Sequence, residues 1–82
     1  MKKTAIETLD DKRILREAMF TRGEKQAALA DKLGIRQPTL SGNMNRTRMG
    51  LDTFGKILDA MDYDIVIMDR KSGESMWKVE VE

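Results

Sequence analysis

Residues 26–45 of this 82-residue chain have the sequence QAALADKLGIRQPTLSGNMN. Apolar residues at helical spacing predict a short helix over residues 24–33. Gly34 ends it, since glycine lets the chain reverse without a steric clash at Cβ. Pro38 is best tolerated in a first helical turn, and it predicts a further helix from residue 37 to residue 44 or 45. Two short helices joined by a three- or four-residue turn that contains glycine are typical of a helix-turn-helix unit.

The residues predicted to lie inside the angle of this unit are small or apolar. Ala30 is small where the two helices would cross, so their backbones can approach closely. Met44 follows Leu40 by one helical turn, and both are expected to face inward. The apolar residues expected to fill the angle are Leu29, Leu33, Ile35 and Leu40. We assign these residues to the core and give them no binding role.

The outward face of the second helix carries short polar side chains and a glycine. Glutamine can pair bidentately with adenine, and serine or threonine can contact several base edges. A glycine presents no side chain, which permits close approach to DNA. We therefore predict that this helix reads base edges in the major groove of duplex DNA. The predicted base-reading residues are Gln37, Pro38, Thr39, Ser41 and Gly42. Taken singly, Gln37 and Ser41 are equally well interpreted as ordinary solvated polar residues.

Positive charge is concentrated around this helix. Residues 1–50 contain 11 Lys/Arg and 6 Asp/Glu, a net charge of +5. Residues 51–82 contain 4 Lys/Arg and 8 Asp/Glu, a net charge of −4, so the whole chain has a net charge of +1. Residues 32–50 contain cations and no carboxylate. Three arginines bracket the helix where phosphates would lie, and Gln26 stands at a helix N-terminus, which favours anions. These arginines are Arg36, Arg46 and Arg48. An uneven but merely solvated surface explains the charge pattern equally well.

Two further helices are predicted on either side of this unit. One covers residues 10–20, capped by Asp10 or Asp11 and ended by Gly23. Ahead of it, residues 1–9 have no assignment, with Ile6 and Leu9 considered as a packed lead-in. The other covers residues 51–61, and its apolar stripe is expected to face the core. That stripe consists of Leu51, Phe54, Leu58 and Met61.

Beyond residue 62 the spacing of apolar residues changes from helical to alternating. Residues 63–68 are β-branched and aromatic, residues 75–81 alternate, and residues 69–74 are typical of a turn, so a C-terminal β-hairpin is predicted. One face of the hairpin is expected to cover the helices. The remaining apolar face or the free edge is then available to a second copy of the chain. The residues assigned to this dimer contact are Ile65, Val66, Ile67, Met68 and Trp77.

Residues 26–45, with ADKLGIRQ (30–37) at their centre, closely resemble the helix-turn-helix of the Cro/C1 (XRE-type) family, which includes the DNA-binding domain of the phage λ repressor. The flanking helices also look like those of the family, and the resemblance covers residues 10–61. It implies a mainly α, λ-repressor-like domain of four to five helices that binds DNA as a dimer. It further implies base contact by Gln37 and phosphate contact by Gln26 and Asn45. Cro-like members also end in strands, as the predicted hairpin at residues 62–82 does.

The sequence departs from the family pattern at two positions. Asn43 stands where the family usually has a buried apolar residue, and we expect Met44 to be buried in its place. Arg46 replaces the glycine that often follows a residue like Asn45, which changes the expected loop and adds a charge for phosphate.

The function predicted from these features is repressor-type regulation of transcription by a cytoplasmic homodimer, such as a phage or mobile element encodes. One alternative is an antitoxin that autoregulates its promoter and binds a toxin through the acidic residues 51–82. Another is a protein-interaction module that keeps the fold without binding DNA.

The composition speaks against several other classes. The chain contains no cysteine and no histidine, which excludes thiolate and histidine metal sites and a histidine general base. The carboxylates at Asp59, Asp62 and Asp64 are interpreted as a solvated surface, so we expect no metal, no cofactor and no enzymatic activity. No apolar run reaches the roughly 20 residues of a membrane span, and the first residues do not resemble a secretory leader.

Overall fold

The computed structural model describes residues 8–81. Four helices come first: α1 (Asp11–Arg22), α2 (Gln26–Leu33), α3 (Gln37–Met44) and α4 (Leu51–Ala60). Two short antiparallel strands follow, β1 (Val66–Met68) and β2 (Ser75–Lys78). The predicted order of helices followed by a hairpin is confirmed for these residues. The lead-in considered at Ile6 lies outside the described residues.

Local signals in the sequence explain where the first helices begin and end. The Asp10 carboxylate accepts a hydrogen bond of 2.8 Å from the Arg13 N–H, which caps the start of α1. Gly23 ends α1 in the left-handed conformation, with φ of 65°. The prediction that the next helix begins at Glu24 was wrong, because the Glu24 N–H bonds to the carbonyl of Met19 at 2.8 Å and so belongs to the end of α1. Consequently α2 begins two residues later, at Gln26.

The core is built from apolar side chains of all four helices. Leu15, Leu29 and Leu40 have no exposed surface, and they bring α1, α2 and α3 together. Among residues 8–81 the buried apolar residues are Leu15, Ala18, Leu29, Ala30, Leu40, Met44, Ile57, Leu58 and Met61. The predicted inward face of α2 and α3 is therefore confirmed, with Leu33 and Ile35 partly buried at its margin.

The prediction that Leu51 faces the core was wrong. Its side chain is 58% exposed, whereas Ile57 and Leu58, further along α4, are buried. Leu51 is the first residue of α4, and the helices that pack on α4 cover its later turns. Phe54 is partly buried against the core.

The hairpin does not cover the helices with either face of its strands, contrary to the prediction. Residues of β1 and β2 are all exposed, and Trp77 reaches 64%. The contact with the helices is made instead by the chain on either side of the strands. Ile65 packs at the edge of the core, and the Val81 side chain occupies the space that a Cβ at Gly55 would need. The base of the hairpin is thus attached to α4 while the strands project from it.

An arginine ties the end of α1 to the end of α4. The Arg22 Nε atom donates to the Met61 carbonyl at 2.9 Å, and Nη2 donates to the Asp62 carbonyl at 3.1 Å. Its guanidinium also lies 4.0 Å from the centre of the Tyr63 ring. Carbonyls at the end of a helix lack partners within the helix, so Arg22 supplies them from another element. No helix within residues 8–81 has both the length and the apolar character that crossing a membrane requires.

Candidate functional site

The short helices α2 and α3 are joined by a three-residue turn, residues 34–36. Gly34 adopts the left-handed conformation with φ of 70°, and the Ile35 N–H closes the end of α2 on the Ala30 carbonyl at 3.0 Å. On the inner side of the pair, Ala30 and Leu40 are buried. These contacts determine which side of α3 faces outward, because burying Leu40 and Met44 leaves the opposite side in solvent.

The outward side of α3 is open. Four of the five predicted base-reading residues are exposed, and the fifth, Ser41, is partly buried. The Gln37 and Thr39 side chains form none of the hydrogen bonds found within residues 8–81. Apart from the adjoining backbone of α3, no atom of residues 8–81 lies within 4 Å of the position that a Cβ at Gly42 would occupy. Within residues 8–81 the fold therefore makes no hydrogen-bonded use of Gln37 or Thr39, and these side chains are free to contact a ligand.

The N-termini of α2 and α3 have no side-chain caps. Lys25 and Arg36 occupy the cap positions without a side-chain hydrogen bond, and neither helix has an acidic residue in its first turn. The N–H groups of a first helical turn have no partner within the helix, and together with the helix dipole they favour an anion. Gln26 and Gln37 are the first residues of these two helices, so each stands beside such N–H groups.

Gln26 and Asn45, both predicted to contact phosphate, line one open cavity of about 350 Å³. Two cations that the sequence analysis missed, Lys12 and Arg16 of α1, line the same cavity. Among residues 8–81, neither of them forms an ion pair. The arrangement of two cations and two amides suits an anion such as phosphate. A signal was present in the sequence: Lys12, Arg16 and the cavity residue Met19 follow the i, i+4, i+7 spacing of one helix face.

The three arginines predicted to contact phosphate are placed around α3 and not in this cavity. Arg36 precedes α3 as its cap residue, and Arg46 and Arg48 lie in the loop that follows it. All three are exposed, and none forms an ion pair with another residue of the described part of the chain. Lys32, which contributes to the same positive stretch, is instead paired with Glu24 at 3.0 Å. Its charge is therefore partly neutralised.

At the end of α3, Asn43 and Met44 have the burial predicted from the sequence. Met44 is buried and Asn43 only partly so, so Met44 supplies the apolar contact as predicted. Asn45 caps the helix, and its Nδ2 atom lies 3.5 Å from the Ser41 Oγ atom. At that length the contact is weak, which leaves the Asn45 amide available to other partners.

A second cavity, of about 170 Å³, has the opposite charge and lies between α4 and the hairpin. Its lining includes Asp59, Asp64 and Glu80, with Lys78 as the cation that pairs with Asp64 at 3.7 Å. Within residues 8–81 no group of three carboxylates is arranged to hold a metal ion. This cavity and the one around Gln26 and Asn45 therefore differ in the sign of their net lining charge.

No protein-family model, no curated protein and no solved structure matches this chain.

Proposed function

We propose that this protein binds duplex DNA sequence-specifically and regulates transcription as a repressor-type homodimer, with α2 and α3 as a helix-turn-helix unit. The observation that carries the proposal is the surroundings of α3. Its outward side is polar, and the Gln37 and Thr39 side chains form no hydrogen bond within residues 8–81. In the same part of the chain, cations without carboxylate partners adjoin α3 on several sides. These cations belong to α1, to the turn before α3 and to the loop after it. The resemblance of residues 10–61 to the Cro/C1 family supports the same conclusion.

In this proposal α3 enters the major groove. With its side chains an α-helix is roughly 10–12 Å across, which matches a groove about 12 Å wide. Gln37 at the start of α3 reads a base edge, with Pro38, Thr39, Ser41 and Gly42 forming the remaining contact surface. Charge on the phosphates is met by Arg36, Arg46 and Arg48 and by the cavity around Gln26 and Asn45. Affinity then comes mainly from the phosphate contacts and selectivity from the outward side of α3.

A homodimer places two such helices on one face of the duplex. Half-sites recognised by helix-turn-helix dimers lie about 34 Å apart, one turn of B-form DNA. An operator for this protein is therefore expected to be an inverted repeat. A chain of this size also gains stability from association, because a small domain covers only part of its apolar surface alone.

The antitoxin alternative is favoured by one observation, the acidic cavity between α4 and the hairpin. Carboxylates at Asp59, Asp64 and Glu80 line it, and a basic toxin would complement them. This alternative adds a protein partner to the DNA function and keeps the same surface on α3.

Selection of bound duplexes from a random DNA pool tests the proposal. Enrichment of an inverted repeat with half-sites one helical turn apart is the expected result. Weak binding without any enriched sequence, and lost with added salt, would contradict sequence-specific binding and favour the interaction module. A pull-down with a basic toxin encoded beside the gene distinguishes the antitoxin from a regulator that acts alone.

Removal of both cations of the α1 cavity is expected to weaken binding to all duplexes alike. The double variant Lys12→Ala/Arg16→Ala loses two phosphate contacts. Each contact contributes roughly −0.9 to the slope of log K against log salt concentration, so this negative slope should become shallower by about 2. Fluorescence anisotropy titrations over a range of salt concentrations measure this slope. Sequence preference should not change, because phosphates carry no base identity.

The matched control removes two positive charges elsewhere. Lys56 pairs with Asp52 on α4, and Lys71 lies in the turn of the hairpin. Lys56→Ala/Lys71→Ala changes net charge by the same amount and should leave the slope nearly unchanged. Equal slopes for the two double variants would mean that the α1 cavity is not a phosphate site.

A further inference from the structure

The outer edge of β1 is apolar, and no strand within residues 8–81 pairs with it. Val66, Ile67 and Met68 are consecutive, uncharged and each nearly half exposed. The sheet has two strands within residues 8–81, so in this part of the chain β1 pairs only with β2. An uncharged edge of this kind can accept a further strand.

The register of the hairpin shows which backbone groups face that edge. The Val79 N–H donates to the Ile65 carbonyl at 2.8 Å, and Ile67 lies opposite Trp77. Hydrogen-bonded and non-hydrogen-bonded pairs alternate in an antiparallel ladder, so Val66, opposite Lys78, directs its N–H and carbonyl outward. Past the irregularity in the ladder, the Asp69 N–H donates to the Glu74 carbonyl at 2.8 Å. Met68 therefore also faces outward.

The outer edge of β2 is less suited to pairing. The register shifts between Ile67 and Met68, which places Met76 as an extra residue in β2. A bulge of this kind interrupts the regular row of donors and acceptors. Lys78, whose backbone groups face this edge, also carries a charge, and bulges and lysines are features that keep edge strands from pairing. The two edges of the same hairpin thus differ in chemistry.

We propose that β1 pairs antiparallel with β1 of a second copy of this chain, with Ile67 at the two-fold axis. In this register Val66 lies opposite Met68 of the second copy, and the outward N–H and carbonyl of each bond to the other. A shift by two residues in either direction would pair only one of these residues within the strand. The result is a continuous sheet in the order β2–β1–β1–β2.

Side chains and charges agree with this register. Ile67 and Trp77 share one face of the sheet, so the two copies form an apolar row of Trp77, Ile67, Ile67 and Trp77 across its four strands. Cross-strand apolar pairs of this kind stabilise a sheet. Asp64 precedes β1 and Arg70 lies in the turn that follows it, so antiparallel pairing brings the negative end of each β1 toward the positive end of the other. An isologous contact of this kind uses the same surface on each copy.

This interface deepens the proposed homodimer, but its test uses no DNA. If the DNA function is wrong and the interface is right, duplex selection gives no enriched sequence while the protein is still a dimer. Failure of the interface would appear as a monomer, whatever the DNA result.

Disulfide trapping tests the register directly, because the chain contains no cysteine. At the two-fold axis the Ile67 residues form a non-hydrogen-bonded pair, whose Cα atoms are about 4.5 Å apart, within the range for a disulfide. Ile67→Cys is expected to give a covalent dimer under mild oxidation, seen on a non-reducing gel. Trp77→Cys is the matched control on the same face. In the proposed sheet the two Trp77 residues lie on the outer strands, three strand spacings or about 14 Å apart, so this variant should remain monomeric on the gel. Equal trapping of the two variants, or none of Ile67→Cys, would overturn the proposal.

Proline substitutions test the edge without cysteine chemistry. Val66 and Lys78 lie opposite each other, and both direct their N–H groups away from the hairpin. A proline at either position therefore removes no hydrogen bond between β1 and β2. Proline is tolerated at such edge positions. Val66→Pro is expected to abolish the dimer in analytical ultracentrifugation, whereas Lys78→Pro should retain it. Circular dichroism checks that both variants fold. A wild-type protein that is monomeric at micromolar concentration, or a dimer that survives Val66→Pro, would contradict the proposed pairing.

Discussion

Replacement of Leu40 by alanine is expected to lower the free energy of unfolding by about 2–5 kcal/mol, the usual cost of removing a buried leucine side chain. Leu40 has no exposed surface and joins α3 to the core. A domain of this size has a total stability of roughly 4–12 kcal/mol, at 0.05–0.15 kcal/mol per residue. The substitution therefore removes a large part of the stability and shifts the midpoint of urea unfolding, followed by circular dichroism, to much lower concentration.

Leu51→Ala is the matched control, because it makes the same leucine-to-alanine change at the start of α4. The sequence predicts both leucines as core residues, yet Leu51 is 58% exposed. Substitutions on a surface usually change stability by less than about 0.5 kcal/mol, and that is the expected effect here. A loss at Leu51 as large as that at Leu40 would mean that Leu51 is covered, for example by association of two chains.

Gln37→Ala is expected to lose roughly 1–3 kcal/mol of affinity for the selected DNA site and little for unrelated duplexes. A loss of that size corresponds to about a 5- to 150-fold weaker equilibrium constant, because 1.4 kcal/mol is a factor of ten. The side chain is exposed on α3, so its removal leaves the core intact and the change reports on recognition. Competition titrations with cognate and scrambled duplexes measure the ratio of the two affinities.

Gln26→Ala provides a comparison within the same fold. Gln26 and Gln37 are the first residues of α2 and α3, but the proposal gives one a phosphate contact and the other a base contact. Gln26→Ala should therefore lower the affinities for cognate and scrambled duplexes by similar factors. If Gln37→Ala left both the affinity and the preference unchanged, the placement of α3 in the groove would be wrong.

Much of the local structure follows from short-range signals. Gly34 and Pro38 have conformational preferences that act within one or two residues, and they correctly predict the end of α2 and the start of α3. The apolar spacing on α3 predicts that Leu40 and Met44 face inward, and hence which side of the helix remains open. Helix periodicity alone is sufficient for that result, because a side chain that faces the core leaves its opposite side in solvent.

Apart from the start of α2, which the local bond from Glu24 to Met19 moved by two residues, the failures occur where a result depends on elements distant in the sequence. Leu51 matches the apolar stripe of α4, but the pattern does not show that the packed helices leave its first turn uncovered. The alternation in residues 75–81 predicts a strand, but not whether its faces are covered. In the structure the hairpin is attached through Ile65 and Val81, and β1 and β2 remain exposed.

The sequence by itself determined the elements found within residues 8–81: four helices, a hairpin, the turn at Gly34 and the polar side of α3. Each depends on backbone preferences and on side-chain spacing over a few residues. Tertiary structure alone decided that Lys12 and Arg16 of α1 meet Gln26 and Asn45 in one cavity. It also decided that one edge of β1 is left open by the described part of the chain. Both depend on which helix faces pack together, and that is set by the shape and volume of a core shared by residues far apart along the chain.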